Sequence, residues 1–141
     1  MPVIEKAAAL IELEAIEEIF DVKYDEDDKS KILQAVMDGR FTTDAQAETV
    51  CYQLIKSIEQ KNGDTKENLI FRTPSVSDIE YINKGFTMKV DKSGNTEMDM
   101  GALSERTKRA VLRLSGIPLG LFERISRKDM RVFTGLFNFF D

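Results

Sequence analysis

Thr43-Asp44-Ala45-Gln46-Ala47-Glu48-Thr49-Val50-Cys51-Tyr52-Gln53-Leu54-Ile55-Lys56-Ser57-Ile58-Glu59-Gln60-Lys61 is the stretch on which the fold class turns. Its first four residues fit a capping box, in which side chains satisfy the backbone N–H groups that a helix start leaves free. Val50, Leu54 and Ile58 then recur four apart, and Asn62-Gly63 supplies a stop. The spacing predicts a helix over 44–61 and, with it, a chain that is mainly α.

Toward the N-terminus the same period continues. Ile32, Leu33, Val36 and Met37 mark a helix over 29–38, capped by Asp28 and ended by Gly39, which enters the left-handed conformation without a side-chain clash. Before it, Ile4, Ala8, Ile11, Ala15 and Ile19 form one apolar stripe on a glutamate-rich helix that starts at Pro2. Asp25-Glu26-Asp27-Asp28 breaks that pattern.

Toward the C-terminus, Leu69-Ile70-Phe71 reads as a short strand closed by Pro74. Ser75-Val76-Ser77-Asp78 is a second capping box and opens a short helix through Ile79, Tyr81 and Ile82 to Gly85. Phe86, Met88 and Val90 alternate with polar residues before a turn at 91–95, as a hairpin arm or an irregular loop would. A helix from about 96 to 114 carries Leu103, Ala110, Val111 and Leu114. A tight turn at 115–118 leads to a short helix over 119–125. Ser126-Arg127-Lys128-Asp129 caps a last helix with Val132, Phe133, Leu136, Phe137 and Phe140 on one side. The expected architecture is therefore a compact helical domain with at most a short strand or hairpin near residues 69–100, plus an acidic N-terminal helical extension. The division falls at 1–66 and 67–141.

Composition narrows the function. The 141 residues are 42% hydrophobic and 32% charged, which suits a packed globular chain. No run approaches the ~18 apolar residues of a membrane span, and the first twenty residues lack the basic start and apolar middle of a signal peptide. One cysteine, Cys51, allows no internal disulfide and points to a reducing cytoplasm. In its helical context it reads as a small buried hydrophobe. With no histidine, a Ser-His or Cys-His pair and an imidazole metal site are impossible. The acidic stretches at 21–32 and 91–102 fail as calcium loops, with Glu26 and Thr96 where glycine is required. No carboxylate pair is set apart for acid–base work and no glycine-rich phosphate loop occurs. No catalytic residue, metal site or cofactor is expected, and the chain does not read as an enzyme.

The net charge of −5 hides a polarity. Residues 1–28 hold ten acidic against two basic side chains, a net of −8. Residues 105–131 hold eight basic against three acidic, a net of +5. These are solvated faces that neutralise each other within or between chains, or one end engages a charged partner. The helix-turn-helix pattern over 107–125 allows a small DNA-binding regulator as an alternative. Leu119-Gly120-Leu121-Phe122-Glu123-Arg124-Ile125 offers few side chains able to read base edges, and an acidic chain opposes phosphate attraction. Neither nucleic acid nor membrane is the expected partner.

Residues 69–140 resemble the tail assembly chaperones of tailed bacteriophages, those of long contractile tails above all. The resemblance rests on a strand running into Phe71-Arg72-Thr73-Pro74-Ser75-Val76-Ser77-Asp78-Ile79, a variable middle, Leu112-Arg113-Leu114-Ser115-Gly116-Ile117-Pro118, then Leu121, Ile125, Asp129, Phe133 and the final Phe137-Asn138-Phe139-Phe140. It implies a protein of the bacterial host cytoplasm, absent from the mature virion. Such a protein binds the tape-measure protein, a long helical chain, and keeps it soluble while tail-tube subunits polymerise around it. A structural tail component is a further alternative. The N-terminal region departs from the family, whose members begin with a short β region close to the motif. The expected partner-binding residues are Leu121, Phe122, Val132, Phe133, Leu136, Phe137, Phe139 and Phe140, although the last helix's stripe equally suits a core. Ile4, Ile11 and Ile19 are the expected self-association residues of a homo-oligomer.

Overall fold

A computed structural model describes residues 5–85, 89–90, 96–97 and 100–138, with side chains described outside 89–103. It corrects the expected fold class. The chain is mixed α/β, built on a three-stranded antiparallel sheet.

The correction lies in residues 43–61. Instead of a helix, they supply the end of β1 (Phe41–Asp44), a four-residue loop and β2 (Thr49–Glu59), the longest strand. β3 (Thr65–Arg72) pairs with the other edge of β2. The helix-start signal was a turn signal. Asp44 Oδ1 accepts the backbone N–H groups of Gln46 and Ala47, both at 3.0 Å, and turns the chain between strands. The same side-chain chemistry serves an N-cap and an Asx turn. The fourfold spacing of Val50, Leu54 and Ile58 is also compatible with a period of two. Tyr52, fully buried between Val50 and Leu54, completes the alternation. Thr, Val, Tyr and Ile suit a pleated, half-buried surface better than a helix.

The alternation sorts the sheet into two faces. Phe41, Tyr52 and Leu69 lie in one cross-strand row and Val50 and Phe71 in the next, all buried. Thr42, Cys51 and Ile70 form the intervening row on the outer face. The register slips between Gln53 and Ile58, where Lys56 is exposed out of turn, and Ile58 is buried again. Gly63, at φ +90°, closes the β2–β3 turn.

Helices cover the inner face. α1 (Lys6–Phe20) packs on α2 (Glu26–Met37) and reaches β1 and β2. Its inward stripe is Ala9, Leu13, Ile16, Ile19 and Phe20, so the helix is turned away from the stripe expected from sequence. α2 is capped by Asp25 rather than Asp28. α3 (Val76–Asn83) packs on α4 (Met100–Ser115), which lies along β3. Between them Lys89–Val90 (β4) pairs antiparallel with Thr96–Glu97 (β5), the hairpin option for this segment. Phe86, Met88 and the turn at 91–95 fall outside the described residues. A single turn, α5 (Leu119–Phe122), leads to α6 (Arg127–Leu136).

α6 is the centre of the core. Phe133 meets Tyr52 at 5.1 Å and Phe71 at 5.5 Å between ring centroids, both edge-on. Phe137 meets Phe71 at 4.9 Å and Phe20 at 5.5 Å. Such tilted ring contacts add to the stabilisation from burial itself. Asp129, fully buried at the start of α6, ties this helix to the sheet. Its carboxylate accepts the Tyr52 hydroxyl at 2.7 Å and the backbone N–H groups of Ile55 and Lys56 at the register slip. The core draws on residues from both sides of position 66, which itself lies inside β3.

Candidate functional site

The segment from Phe71 to Ile79 is built in steps. Phe71 points into the core, and Arg72 leaves the sheet on the other side. Pro74 prevents the strand from continuing. Ser75 caps α3 in a reciprocal box with Asp78. Asp78 is then almost fully buried, at 2% exposure, and every oxygen lone pair it carries is in demand. Arg72 donates to both carboxylate oxygens, Arg113 Nε donates from α4 at 2.8 Å, and the Ser75 N–H donates at 2.8 Å. The Arg72 guanidinium beside it holds the Asp78 carboxyl far below the usual range, against the opposing effect of burial, with Ser75 and Arg113 assisting. Asp78 in turn raises Arg72. Arg113 also lies 4.9 Å over the Tyr81 ring. Two stretches that stand far apart in sequence, 71–79 and 112–118, thus meet in one ionic node.

Beside that node lies a groove of mixed character. Phe20, Val22, Pro74, Val76 and Ile79, with Asp21, Ser75 and Glu80 at its polar edge, line a depression of about 280 Å³ between the end of α1 and the start of α3. Val76, at the first position of α3, is 77% exposed although the other apolar residues of the groove are partly or fully buried. An exposed valine beside the apolar part of this cleft can cover an apolar side chain from another polypeptide. Sequence reading passed over it, because Pro74 to Asp78 read as punctuation. The available signal was an apolar residue at a capped helix start, where the helix's own core stripe does not need one.

A second, larger depression of about 560 Å³ lies between the β2–β3 turn and α5. Gln60, Lys61, Pro118, Gly120, Leu121, Glu123 and Arg124 line it. Arg124 also donates to the Glu59 carbonyl at 2.7 Å.

The sequence-predicted partner-binding residues divide three ways. Val132, Phe133, Leu136 and Phe137 are buried in the core, with Phe133 and Leu136 wholly inaccessible. Leu121 lines the larger depression, while Leu121 and Phe122 both pack half-buried against the core. Phe139 and Phe140 lie outside the described residues. Of the self-association residues, Ile11 is 70% exposed, Ile19 is buried, and Ile4 is outside the described residues. Cys51 stands half-exposed on the outer sheet face, where burial raises its thiol against the opposing charge of Lys66. A thiol so raised stays protonated at neutral pH and is a poor nucleophile.

Among the described residues no cluster of three or more acidic or cysteine side chains could hold a metal ion, and no helix is long and apolar enough to cross a membrane. Comparison of the chain with protein-family models, with curated proteins and with solved structures gives no match.

Proposed function

We propose that the chain is a tail assembly chaperone of a tailed bacteriophage, which binds the tape-measure protein in the host cytoplasm and is left out of the mature virion. One observation carries this reading. The separate pieces of the resemblance, Arg72 to Asp78, Arg113, Asp129 and Phe133, are the same residues that join α3, α4, α6 and the sheet. The residues that carry the resemblance are therefore also residues that hold the sheet and helices of this fold together.

A chaperone of this kind performs no reaction. It covers apolar surface on a client and later releases it. The groove at Pro74, Val76 and Ile79 is the surface for that work, in place of the last helix, whose stripe is spent on the core. Burial contributes roughly 25 cal/mol per Å² before association costs, so a contact this small is weak alone. It gains strength when several copies line one long client. The DNA-binding alternative finds no support in α5, a single turn from Leu119 to Phe122, too short to lie along a major groove.

The test is co-expression with a tape-measure protein encoded beside this chain. The client stays soluble and co-purifies with the wild type, and precipitates with Val76→Asp. A client equally insoluble with and without this chain would sink the proposal. Finding the chain in purified virions would favour a structural tail component instead.

A further inference from the structure

Folding neutralises part of the basic stretch at 105–131, Arg113 by Asp78 and Arg109 by Glu105, but leaves acidic side chains of α1 exposed. The outer face of α1 runs Ala7, Ile11, Glu14 and Glu18, spaced so that all four lie along one line of the helix. All four are exposed, and Leu10 flanks them at 42% exposure. A buried helix face would have no reason to leave isoleucine at 70% exposure beside leucine; this face is apolar at its start and acidic further on. The depression at α5 has the converse character. Pro118, Gly120 and Leu121 give it an apolar floor, and Lys61 and Arg124 supply cationic walls, with Glu123 the one opposing charge. Glu14, Glu18, Lys61 and Arg124 enter no ion pair among the described residues.

We infer that the outer face of α1 docks into the α5 depression of a second copy of this chain, head to tail. Ile11 and Leu10 enter the apolar floor while Glu14 and Glu18 meet Lys61 and Arg124. The occupant is another copy because the complementary face is present on the same chain and is left unpaired there. The two surfaces differ, so the contact is heterologous. Such a contact repeats from copy to copy and produces a ring if the rotation closes or an open row if it does not. A row would array the Val76 grooves along a long client, but the inference stands without the chaperone reading.

Sedimentation of the full chain over a range of concentrations tests it. The wild type associates at low salt, and association weakens at least tenfold as salt screens the charge pairs. Ile11→Glu and Lys61→Glu each abolish association while leaving the circular dichroism spectrum and melting temperature unchanged, since both residues are exposed. Arg124→Glu serves as a second depression variant. The deciding measurement mixes two disabled chains. Ile11→Glu keeps a working depression and Lys61→Glu keeps a working α1 face, so together they form a 1:1 dimer that grows no further. A wild type that remains monomeric at all concentrations would overturn the inference. So would association lost with Ile11→Glu but untouched by both depression variants, which would mean α1 pairs with α1 or docks elsewhere.

Discussion

Two buried aspartates show how differently one residue type behaves under different neighbours. Asp78 is held ionised by arginines, and its stability contribution follows from the sign of that shift. A depressed folded-state value stabilises the fold above the unfolded value of about 3.9, and that contribution declines as pH falls from there toward the lower folded value. Asp78→Asn should therefore cost about 2 kcal/mol at pH 7. In denaturant titrations, its deficit relative to wild type should shrink below about pH 4. Asp28 is the opposite case. It is buried in the first turn of α2, and burial raises its carboxyl above the usual value despite the Asn138 amide that donates to it at 3.2 Å. The Asn138 Oδ1 beside it is itself buried without a partner. Asp28→Asn removes the buried charge and keeps one oxygen to accept the Asn138 amide, so it should stabilise by about 1 kcal/mol at neutral pH. A raised folded-state value favours the fold at low pH, so the gain should vanish once acid neutralises the wild-type carboxyl. Neither role was legible in the sequence. Asp78 was readable as half of a capping box, but Arg113, its second cation, lies 35 positions away. Asp28 was read as a cap, a role that Asp25 fills.

Among the elements, most helices were legible, but of the sheet only the end of β3 at Leu69-Ile70-Phe71 was. α2, α3, α4 and α6 carry a 3.6-residue period, and the Ser75 and Ser126 caps mark where α3 and α6 begin, because those signals are local; the starts of α2 and α4 fall elsewhere than the sequence suggested. β2 was missed because its alternation is interrupted by the register slip, so only the positions shared with a fourfold spacing stood out. The hydrogen bonds that make it a strand come from β1 and β3, up to 23 residues away in the Thr49–Arg72 pair. The helix–helix contact between α2 and α6 depends on a residue that sequence reading ignored. A Cβ added to Gly135 would meet Lys31 Cβ at 2.8 Å and the Asp28 carbonyl at 3.2 Å. Gly135→Ala should force these helices apart and cost about 1–3 kcal/mol, even though alanine is the better helix former. Thermal melts against Gly120→Ala, where nothing lies within 4 Å, provide the control.

Over the whole molecule one core joins both ends of the chain. Phe20 from α1, Tyr52 and Phe71 from the sheet, and Phe133 and Phe137 from the C-terminus enclose one another. A chain cut at position 66, within β3, should leave neither part folded, whereas the intact protein should unfold in one cooperative step by both fluorescence and circular dichroism. A stable folded fragment 67–141 would contradict this. The sequence by itself determined the capped starts of α3 and α6, the lack of any histidine-based chemistry, the opposite charges of the two ends and the Phe71-to-Ile79 motif. Each of these follows from composition or from bonds between residues a turn apart. Only the tertiary structure decided that 43–61 forms strands, that the phenylalanines of the last helix belong to the core, and that Val76 and Ile11 remain at the surface. An apolar side chain has the same affinity for a core as for a partner, and only the arrangement of the rest of the chain settles which it meets.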